Sequence, residues 1–389
     1  MTSADDEDLR LLVRQLNRSA TGPASGISPK GGSSPALDPA ALDELLRRAV
    51  SLGASDLLIV ADYPPAFRVD GALVAAEHAP LGPEEIRSLA KILLDEFHFR
   101  EFQRDKASDF LVERAGIGRF RCDLHHQRGS IAMTFRVLPE VTPAFESLNL
   151  PSAVERFAGL ARGLVLFCGP TGCGKSTTMG ALIGIMNRTR AAHVVTIEDP
   201  VEYSHARGTC VIEQVEIGRD AVSFATALRH ALRQNPDILL VGEMRDLESI
   251  GIALTAAETG HLVFSTLHTN DAAGTIDRLI DVFPDTQQNQ VRQQVSLSLA
   301  GVVVQRLVPV SGGKGRVPAC EILIANDPVR NLIRTGRNHL LYSQMTLGRK
   351  EGMMTMEDSL ASLVKAGTIE REEALLRAGR REELEKLLG

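Results

Sequence analysis

The strongest constraint on the fold of this chain lies between residues 163 and 177. An apolar run there passes directly into Gly-Pro-Thr-Gly-Cys-Gly-Lys-Ser-Thr, which begins at Gly169. The spacing GxxxxGK[ST], placed between a strand and the start of a helix, is the P-loop pattern. Its glycines allow backbone N–H groups to turn inward toward phosphate oxygens, and the helix N-terminus adds a favourable dipole. The chain is therefore expected to contain a nucleotide-binding α/β core.

The residues of this P-loop have predicted roles in binding ATP and Mg²⁺. Lys175 is expected to reach the β and γ phosphates, and Ser176 is expected to ligate the metal. The other predicted ATP-binding residues are Gly169, Thr171, Gly172, Gly174 and Thr177. The alternative, a chance match in a glycine-rich turn, is disfavoured by the strand and helix patterns on either side.

The segments after the P-loop predict a parallel sheet. Three continuous apolar runs fit strands that are buried on both faces. They lie at residues 193–197, 237–241 and 261–266. Helical periodicity separates the runs, and strands that alternate with helices of this length imply parallel pairing. From about Pro284 onward, the chain is predicted to be mostly helical.

Two carboxylates that follow these apolar runs are predicted to serve catalysis. Glu202 ends the segment Ile-Glu-Asp-Pro-Val-Glu, where the carboxyl end of a parallel strand borders the ligand crevice. Acids there can hold a metal or a water, or they can be solvated loop acids. Glu243 is predicted to be the base that polarises water. Its alternatives are an ion pair with Arg245 or a helix cap.

Two histidines, His261 and His268, stand at the ends of the last predicted strand of this series. A lone histidine is usually structural. Two histidines on a strand beside a nucleotide crevice are candidates for sensing the γ-phosphate. A shared metal is disfavoured because seven residues of strand separate the two side chains by about 23 Å.

The front of the chain predicts a leader and a smaller α+β domain. Residues 1–40 are rich in Gly, Ser and Pro and are predicted to be a flexible leader. Residues 41–138 form the α+β domain, residues 139–150 a linker, and residues 151–389 the ATPase domain with its C-terminal helical region. The strands of the front domain are predicted at residues 56–60, 67–69, 73–76, 119–125 and 131–137.

Composition disfavours several other classes of protein. The formal net charge of −6 gives no general attraction to nucleic acid, and the 3 tyrosines and 0 tryptophans offer little surface for stacking bases. None of the 5 cysteines stands in a CxxC pair, so no zinc site is predicted. The N-terminus is acidic, and no apolar run reaches the length of a membrane span. A cytoplasmic protein is therefore expected.

Four motifs together resemble the secretion ATPase superfamily, which drives type II secretion and type IV pili. The P-loop, the acidic segment IEDPVE, the strand segment NPDILLVGEMRD and the histidine segment TGHLVFSTLHTN occur in the family order. The resemblance covers roughly residues 42–377. It implies a RecA-like P-loop ATPase core with a parallel sheet, a PAS-like N-terminal α+β domain and C-terminal helices. It also favours the roles predicted for Glu202, Glu243, His261 and His268.

The same resemblance implies a homohexamer with ATP held between the two domains and neighbouring subunits. Arg121 and Arg136 are similar to the pair of arginines that the family directs at the phosphates from its N-terminal domain. A fixed guanidinium offsets charge on the transferring phosphoryl group. The alternative is that both arginines are ordinary exposed residues of a strand.

Within the superfamily, the chain is similar to the retraction ATPases of type IV pili. It lacks the four-cysteine zinc insertion of assembly and secretion ATPases, and residues 328–334 (PVRNLIR) resemble an element of the retraction type. The implied function is pilus retraction and twitching motility, powered by domain closure around ATP. The implied location is the cytoplasmic face of the inner membrane, beside a pilus platform protein. An assembly or secretion ATPase and an accessory paralogue are the alternatives.

This chain departs from the usual family pattern at two positions in these motifs. Cys173 stands in the P-loop where serine is usual, and Gly242 stands where an aspartate usually precedes the glutamate. Mg²⁺ is therefore expected to lack its usual direct carboxylate partner.

Overall fold

The computed structural model describes residues 39–69, 71–139, 141–244, 246–313 and 315–389. Almost all of the predicted leader at residues 1–40 lies outside the described residues. The contacts between residues divide the chain into two compact units, Met1–Leu138 and Pro139–Gly389. No helix in the described ranges is both long enough and apolar enough to cross a membrane.

The first unit is built on a six-stranded antiparallel sheet in the order β3-β2-β1-β6-β5-β4. The strands are β1 (Asp56–Val60), β2 (Ala66–Val69), β3 (Ala72–Ala75), β4 (Ala107–Arg114), β5 (Gly118–Gln127) and β6 (Ser130–Leu138). The helices are α1 (Pro39–Ser51), α2 (Pro83–Leu93) and α3 (Glu96–Asp105). Five of these strands confirm the predicted ones, whereas β4 and α3 are missing from the sequence-based prediction.

One face of this sheet supplies the core of the first unit. Alternate residues of the strands, among them Leu57, Phe120 and Phe135, are fully buried. They pack in one apolar cluster with Leu42 and Leu46 of α1. Because side chains alternate across a strand, the residues between them lie on the opposite face. That second face carries Asp56, Arg121 and Arg136, as their cross-strand register requires.

The second unit is built on a seven-stranded sheet in the order β13-β12-β7-β11-β10-β8-β9. Its strands are β7 (Gly163–Cys168), β8 (His193–Glu198), β9 (Val211–Glu216), β10 (Ile238–Val241), β11 (Leu262–Leu267), β12 (Leu299–Pro309) and β13 (Arg316–Ile324). All neighbours pair in parallel except β12 and β13. The predicted α/β core with a parallel sheet is confirmed.

Helices cover both faces of this second sheet. Those before β12 are α4 (Ser152–Glu155), α5 (Lys175–Thr189), α6 (Phe224–Ala231), α7 (Leu247–Glu258), α8 (Ala272–Asp281) and α9 (Asp285–Ser298). Those after β13 are α10 (Asp327–Arg334), α11 (Leu341–Leu347), α12 (Met356–Lys365), α13 (Arg371–Arg377) and α14 (Arg381–Leu388). Short 3-10 turns lie at Phe145–Leu148, Arg156–Gly159, Asn338–Leu340 and Gly348–Glu351.

Two apolar clusters, one on each face, explain why the central strands are apolar without alternation. Leu164 and Leu166 of β7 belong to one cluster, and Val165 and Phe167 belong to the other. A strand covered on both faces gains from apolar residues at every position.

The prediction that the chain is mostly helical after Pro284 is wrong for residues 299–324, which form the β12–β13 hairpin. The β12–β13 hairpin follows α9 directly, and β12 pairs in parallel with the P-loop strand β7. The run Val302-Val303-Val304 within β12 favours a strand because β-branched side chains pack well on a pleated surface. This hairpin therefore places two further strands beside the P-loop.

Candidate functional site

The P-loop lies between the end of β7 at Cys168 and the start of α5 at Lys175. Gly169 and Gly174 adopt φ angles of 131° and 93°, which L side chains rarely adopt. The backbone also approaches β12 closely at Gly169, because a Cβ there would lie 2.3 Å from the carbonyl oxygen of Gln305. Glycine is therefore required at this position by both conformation and space.

Gly169→Ala is expected to lower the free energy of unfolding by about 2 to 4 kcal/mol, because it adds a clash to backbone strain. Gly172→Ala is the matched control in the same loop. Gly172 has φ 74°, but a Cβ added there would meet no heavy atom within 4 Å beyond its chain neighbours. The control should cost only about 1 to 2 kcal/mol. Denaturant unfolding of both variants measures the difference, and equal losses would contradict the close approach of β12.

Lys175 is buried and folds back over its own loop. Its Nζ donates to the carbonyl oxygen of Gly169 at 2.9 Å and to that of Pro170 at 3.1 Å. Ser176 is half-buried in the first turn of α5. The next residue, Thr177, shares a hydrogen bond of 2.8 Å with the hydroxyl of Tyr203. The P-loop ammonium and the predicted metal-ligating hydroxyl thus lie in one turn of backbone.

The parallel register brings the ends of four strands to the same edge as the P-loop. Cys168 is paired with Leu267, and Val241 is paired with Ile197. The residues that follow these strand ends therefore meet at this edge, as in other open α/β sheets. We call this edge of the sheet the P-loop edge. It contains the P-loop, Glu198, Glu243 and His268.

Of the carboxylates of the IEDPVE segment, Glu198 is the last residue of β8 and Glu202 follows the strand. Glu198 accepts a hydrogen bond of 2.7 Å from Thr196 and one of 3.4 Å from Gln214. Burial raises the pKa of the Glu198 carboxyl and the charge of Glu202 raises it further, while those two hydrogen bonds lower it. Glu202, the predicted catalytic acid of this segment, is half-buried. Its catalytic role stays a prediction.

The pairing of Glu243 with His268 is the most specific feature of this edge. Nε2 of His268 lies 3.5 Å from Oε2 of Glu243, and the glutamate side chain is only 15% exposed. These residues come from the ends of two adjacent strands, β10 and β11. A histidine in this position can orient the carboxylate to accept a proton from a water molecule.

Gly242 allows β10 to end close against β8. Its N–H donates to the carbonyl of Ile197 at 2.7 Å. A Cβ at this position would lie 3.2 Å from the Ile197 oxygen and 3.4 Å from the Cα of Glu198. The distance to the Ile197 oxygen is tighter than ordinary van der Waals contact, so glycine in place of an aspartate has a local structural reason.

His261 does not join the P-loop edge. It precedes β11, and its Nδ1 lies 3.0 Å from the carbonyl oxygen of Ala256. The backbone N–H of Gly163, at the start of the P-loop strand, donates to the carbonyl of His261. Because β7 and β11 are parallel, His261 lies at the opposite edge of the sheet. Within this unit, the structure therefore brings only His268 of the two predicted histidines to the P-loop.

The two predicted arginines lie in the first unit, directly opposite each other on β5 and β6. Arg121 donates to Asp109 at 2.8 Å, and Nε of Arg136 donates to Asp56 at 3.1 Å. These carboxylates hold both guanidinium groups on the polar face of the sheet. Their predicted role toward the phosphates stays a prediction.

Two residues near the P-loop are missing from the sequence-based prediction. Tyr203 bonds to Thr177, as described above, and Gln305 of β12 donates through Nε2 to Thr178 at 3.0 Å. Gln305 is only 1% exposed. A buried polar residue within the valine-rich run of β12 is the signal that could have found it, since such a group requires a partner.

A P-loop at the carboxyl edge of a mainly parallel sheet, with a glutamate beside it, defines the class of P-loop nucleoside triphosphatases. Comparison with known proteins narrows this class. The family model described as Type II/IV secretion system protein matches residues 145–376.

Several relatives match over almost their whole length. The chain is 44% identical to the "Type IV pilus retractation ATPase PilT" of Pseudomonas aeruginosa, over 86% of this chain and 96% of that protein. It is 43% identical to a "Twitching motility protein" of Neisseria gonorrhoeae, over 82% and 85% of the two chains. A crystal structure of the pilus retraction motor PilT with bound ADP aligns with a TM-score of 0.82 at 44% identity, over 89% and 99% of the two chains. The chain belongs to the Type II/IV secretion system protein family and is an ATPase.

Proposed function

We propose that this chain is the motor ATPase that powers retraction of a type IV pilus and thereby twitching motility. The observation that carries this proposal is its similarity, over nearly the full length of both chains, to proteins named for pilus retraction and twitching motility. The fold agrees with that similarity across the same extent. The residues of the P-loop edge supply the ATP chemistry that such a motor requires.

The residues of the P-loop edge have separate roles in the binding and the hydrolysis of ATP. Lys175 binds the β and γ phosphates, for which it exchanges its two hydrogen bonds to the P-loop carbonyls. Glu243, oriented by His268, accepts a proton from the attacking water. Bound Mg²⁺ neutralises charge on the phosphates when it is present.

The residues of the P-loop edge fit a magnesium ion without a carboxylate cage. Mg²⁺ usually keeps several waters and takes few protein ligands beside the phosphates. The hydroxyl of Ser176, in the first turn of α5, is the protein ligand that we assign to it. The crowding at Gly242 leaves no room for the usual aspartate without a local shift.

The mechanical part of the proposal requires a ring. We assign the chain to a homohexamer in which Arg121 and Arg136 reach ATP bound by a neighbouring subunit. The carboxylates of Asp109 and Asp56 preorganise these guanidinium groups, which lowers the entropy lost when they engage a phosphate. ATP binding then favours closure of the front unit, and hydrolysis releases it. The force acts on a platform protein at the cytoplasmic face of the inner membrane.

A second candidate within the family is an ATPase for assembly or secretion. The same ATP chemistry can drive force in either direction, so the P-loop edge does not distinguish a retraction ATPase from an assembly or secretion ATPase. The cysteine pattern favours retraction, because none of the 5 cysteines stands in a CxxC pair and the four-cysteine zinc insertion of assembly and secretion ATPases is missing from the sequence. A supporting role beside another retraction motor is the remaining alternative.

Deletion of the gene is expected to leave cells with an excess of surface pili that do not retract. Complementation with the wild-type gene should restore normal piliation, whereas Lys175→Ala should not. Electron microscopy of surface pili measures the outcome. Cells without pili would identify an assembly ATPase, and unchanged piliation with unchanged retraction would identify an accessory protein or another machine.

A further inference from the structure

Glu321, a buried glutamate near the histidine segment, has no part in the ATP chemistry proposed above. Glu321 of β13 is 4% exposed. Its Oε1 accepts a hydrogen bond of 2.7 Å from the backbone N–H of Ala272, the first residue of α8. The carboxylate therefore meets the N-terminus of a helix, where both the free N–H groups and the helix dipole favour a negative charge.

A second helix begins against the same carboxylate. The pKa of Glu321 is raised to about 7, chiefly by burial and also by the charges of Asp271 and Glu357. The N–H groups of Ala272 and of Met356, the first residue of α12, act in the opposite direction. Glu321 is thus hydrogen-bonded to the N-terminus of α8, and the backbone at the start of α12 also favours its ionised form.

The start of α8 is tied closely to His268. Only three residues separate His268 from Ala272, and each has a fixed partner in this region. Thr269 shares a hydrogen bond of 2.6 Å with Thr275, and Asp271 accepts one of 2.7 Å from the N–H of Gly274. Arg306 of β12 donates to the carbonyl of Asn270 at 3.3 Å. A shift of the first turn of α8 is therefore transmitted to His268.

We propose that Glu321 is a positioning residue for ATP hydrolysis: its carboxylate holds the start of α8 and so keeps His268 beside Glu243. The proposal rests on the catalytic roles proposed above for Glu243 and His268. The ionised carboxylate can accept hydrogen bonds from both helix N-termini. The protonated form presents a hydroxyl donor to one of these N–H groups and weakens that link.

The sign of the resulting pH dependence follows from the position of the proton. Below about pH 7 the Glu321 carboxyl is protonated, so the start of α8 loosens and kcat falls. Above that pH the carboxylate is ionised and kcat reaches its plateau. Titration of Glu243 or His268 themselves can also produce a pH profile, so the source of the inflection has to be identified by a variant outside their contacts.

Glu357→Gln supplies that variant. Glu357 is 2% exposed and accepts hydrogen bonds from the N–H of Arg380 and the hydroxyl of Tyr342. Loss of its charge favours ionisation of Glu321. The inflection of kcat with pH is therefore expected to move to lower pH in Glu357→Gln.

The test compares ATP hydrolysis by the full chain and by Glu321→Gln, Glu357→Gln and His268→Ala across pH 5.5 to 8.5. Glu321→Gln is expected to lower kcat about tenfold with KM for ATP unchanged, and to flatten the profile. Wild-type kcat in Glu321→Gln, or an inflection that stays at the wild-type pH in Glu357→Gln, would overturn the proposal.

The His268→Ala variant distinguishes the positioning role of Glu321 from the proposed catalytic role of His268. Slow hydrolysis in His268→Ala with normal hydrolysis in Glu321→Gln removes the positioning role and leaves the proposed catalysis intact. Wild-type hydrolysis in His268→Ala removes the catalytic role of His268 and the positioning role with it. If Glu321→Gln fails to fold, the dependence of kcat on pH in Glu357→Gln is by itself the test of the positioning role, because that variant keeps Glu321 in place.

Discussion

Lys175→Ala is expected to weaken ATP binding by at least about 10²-fold and to abolish measurable hydrolysis. Lys175 is the buried cation of the P-loop, and its charge-assisted hydrogen bonds to phosphate act where water is largely excluded. The substitution also leaves the carbonyl oxygens of Gly169 and Pro170 without the donor that now satisfies them. Titration calorimetry with ATP and Mg²⁺ measures the affinity.

Lys350→Ala is the matched control for the loss of a lysine. Lys350 is exposed in the 3-10 turn Gly348–Glu351, outside the P-loop edge. This control should bind ATP as the wild type does. If Lys175→Ala binds ATP with wild-type affinity, the assignment of residues 169–177 as the phosphate site is wrong.

Glu243→Gln is expected to separate binding from chemistry. The variant should bind ATP at least as tightly as the wild type, because it removes a negative charge near the γ-phosphate. Its kcat should fall by about 10² to 10⁴-fold, since an amide cannot accept the proton of the attacking water. Single-turnover hydrolysis measured with a nucleotide titration distinguishes the two effects.

The control for this prediction is Glu258→Gln, which makes the same chemical change at the exposed end of α7. It should leave both affinity and kcat at wild-type values. Wild-type kcat in Glu243→Gln would show that the pair of Glu243 and His268 does not act on water. A loss of ATP binding in Glu243→Gln would assign the glutamate a structural role instead.

The part of the site that the sequence predicted well depends on local patterns. The P-loop between a buried strand and a helix fixes its own geometry, because the glycines permit backbone conformations that other residues resist. The predicted strands at residues 193–197, 237–241 and 261–266 correspond to β8, β10 and β11. Because β10 and β11 pair in parallel, Glu243 and His268, which follow these strands, lie at one edge of the sheet.

The failures have a different physical origin. The pairing of β12 with β7 joins segments more than a hundred residues apart, and nothing in a local window specifies it. In α3, Phe102 is the buried residue, so the helix has little apolar stripe for a periodicity argument. Its N-cap Asp95, which accepts from the N–H of His98, is the better signal.

His261 is close in sequence to a strand that borders the P-loop but lies at the opposite edge of the sheet, and its predicted catalytic role stays a prediction. Parallel strands direct only their carboxyl ends toward the ligand crevice. A residue before β11 and a residue after it therefore lie at opposite edges of the sheet, although one motif contains both. Glu321 illustrates the converse, since a residue far from every motif contacts the helix that follows His268.

The most direct test of the central claim, that ATP hydrolysis at this edge drives retraction, is the retraction rate of labelled pili in living cells. The cells compared should carry either the wild-type gene or Glu243→Gln as their single copy, at equal protein levels. We predict that cells with Glu243→Gln extend pili at the wild-type frequency but retract them at least about 10²-fold more slowly. Retraction at the wild-type rate, or loss of extended pili, would contradict the account.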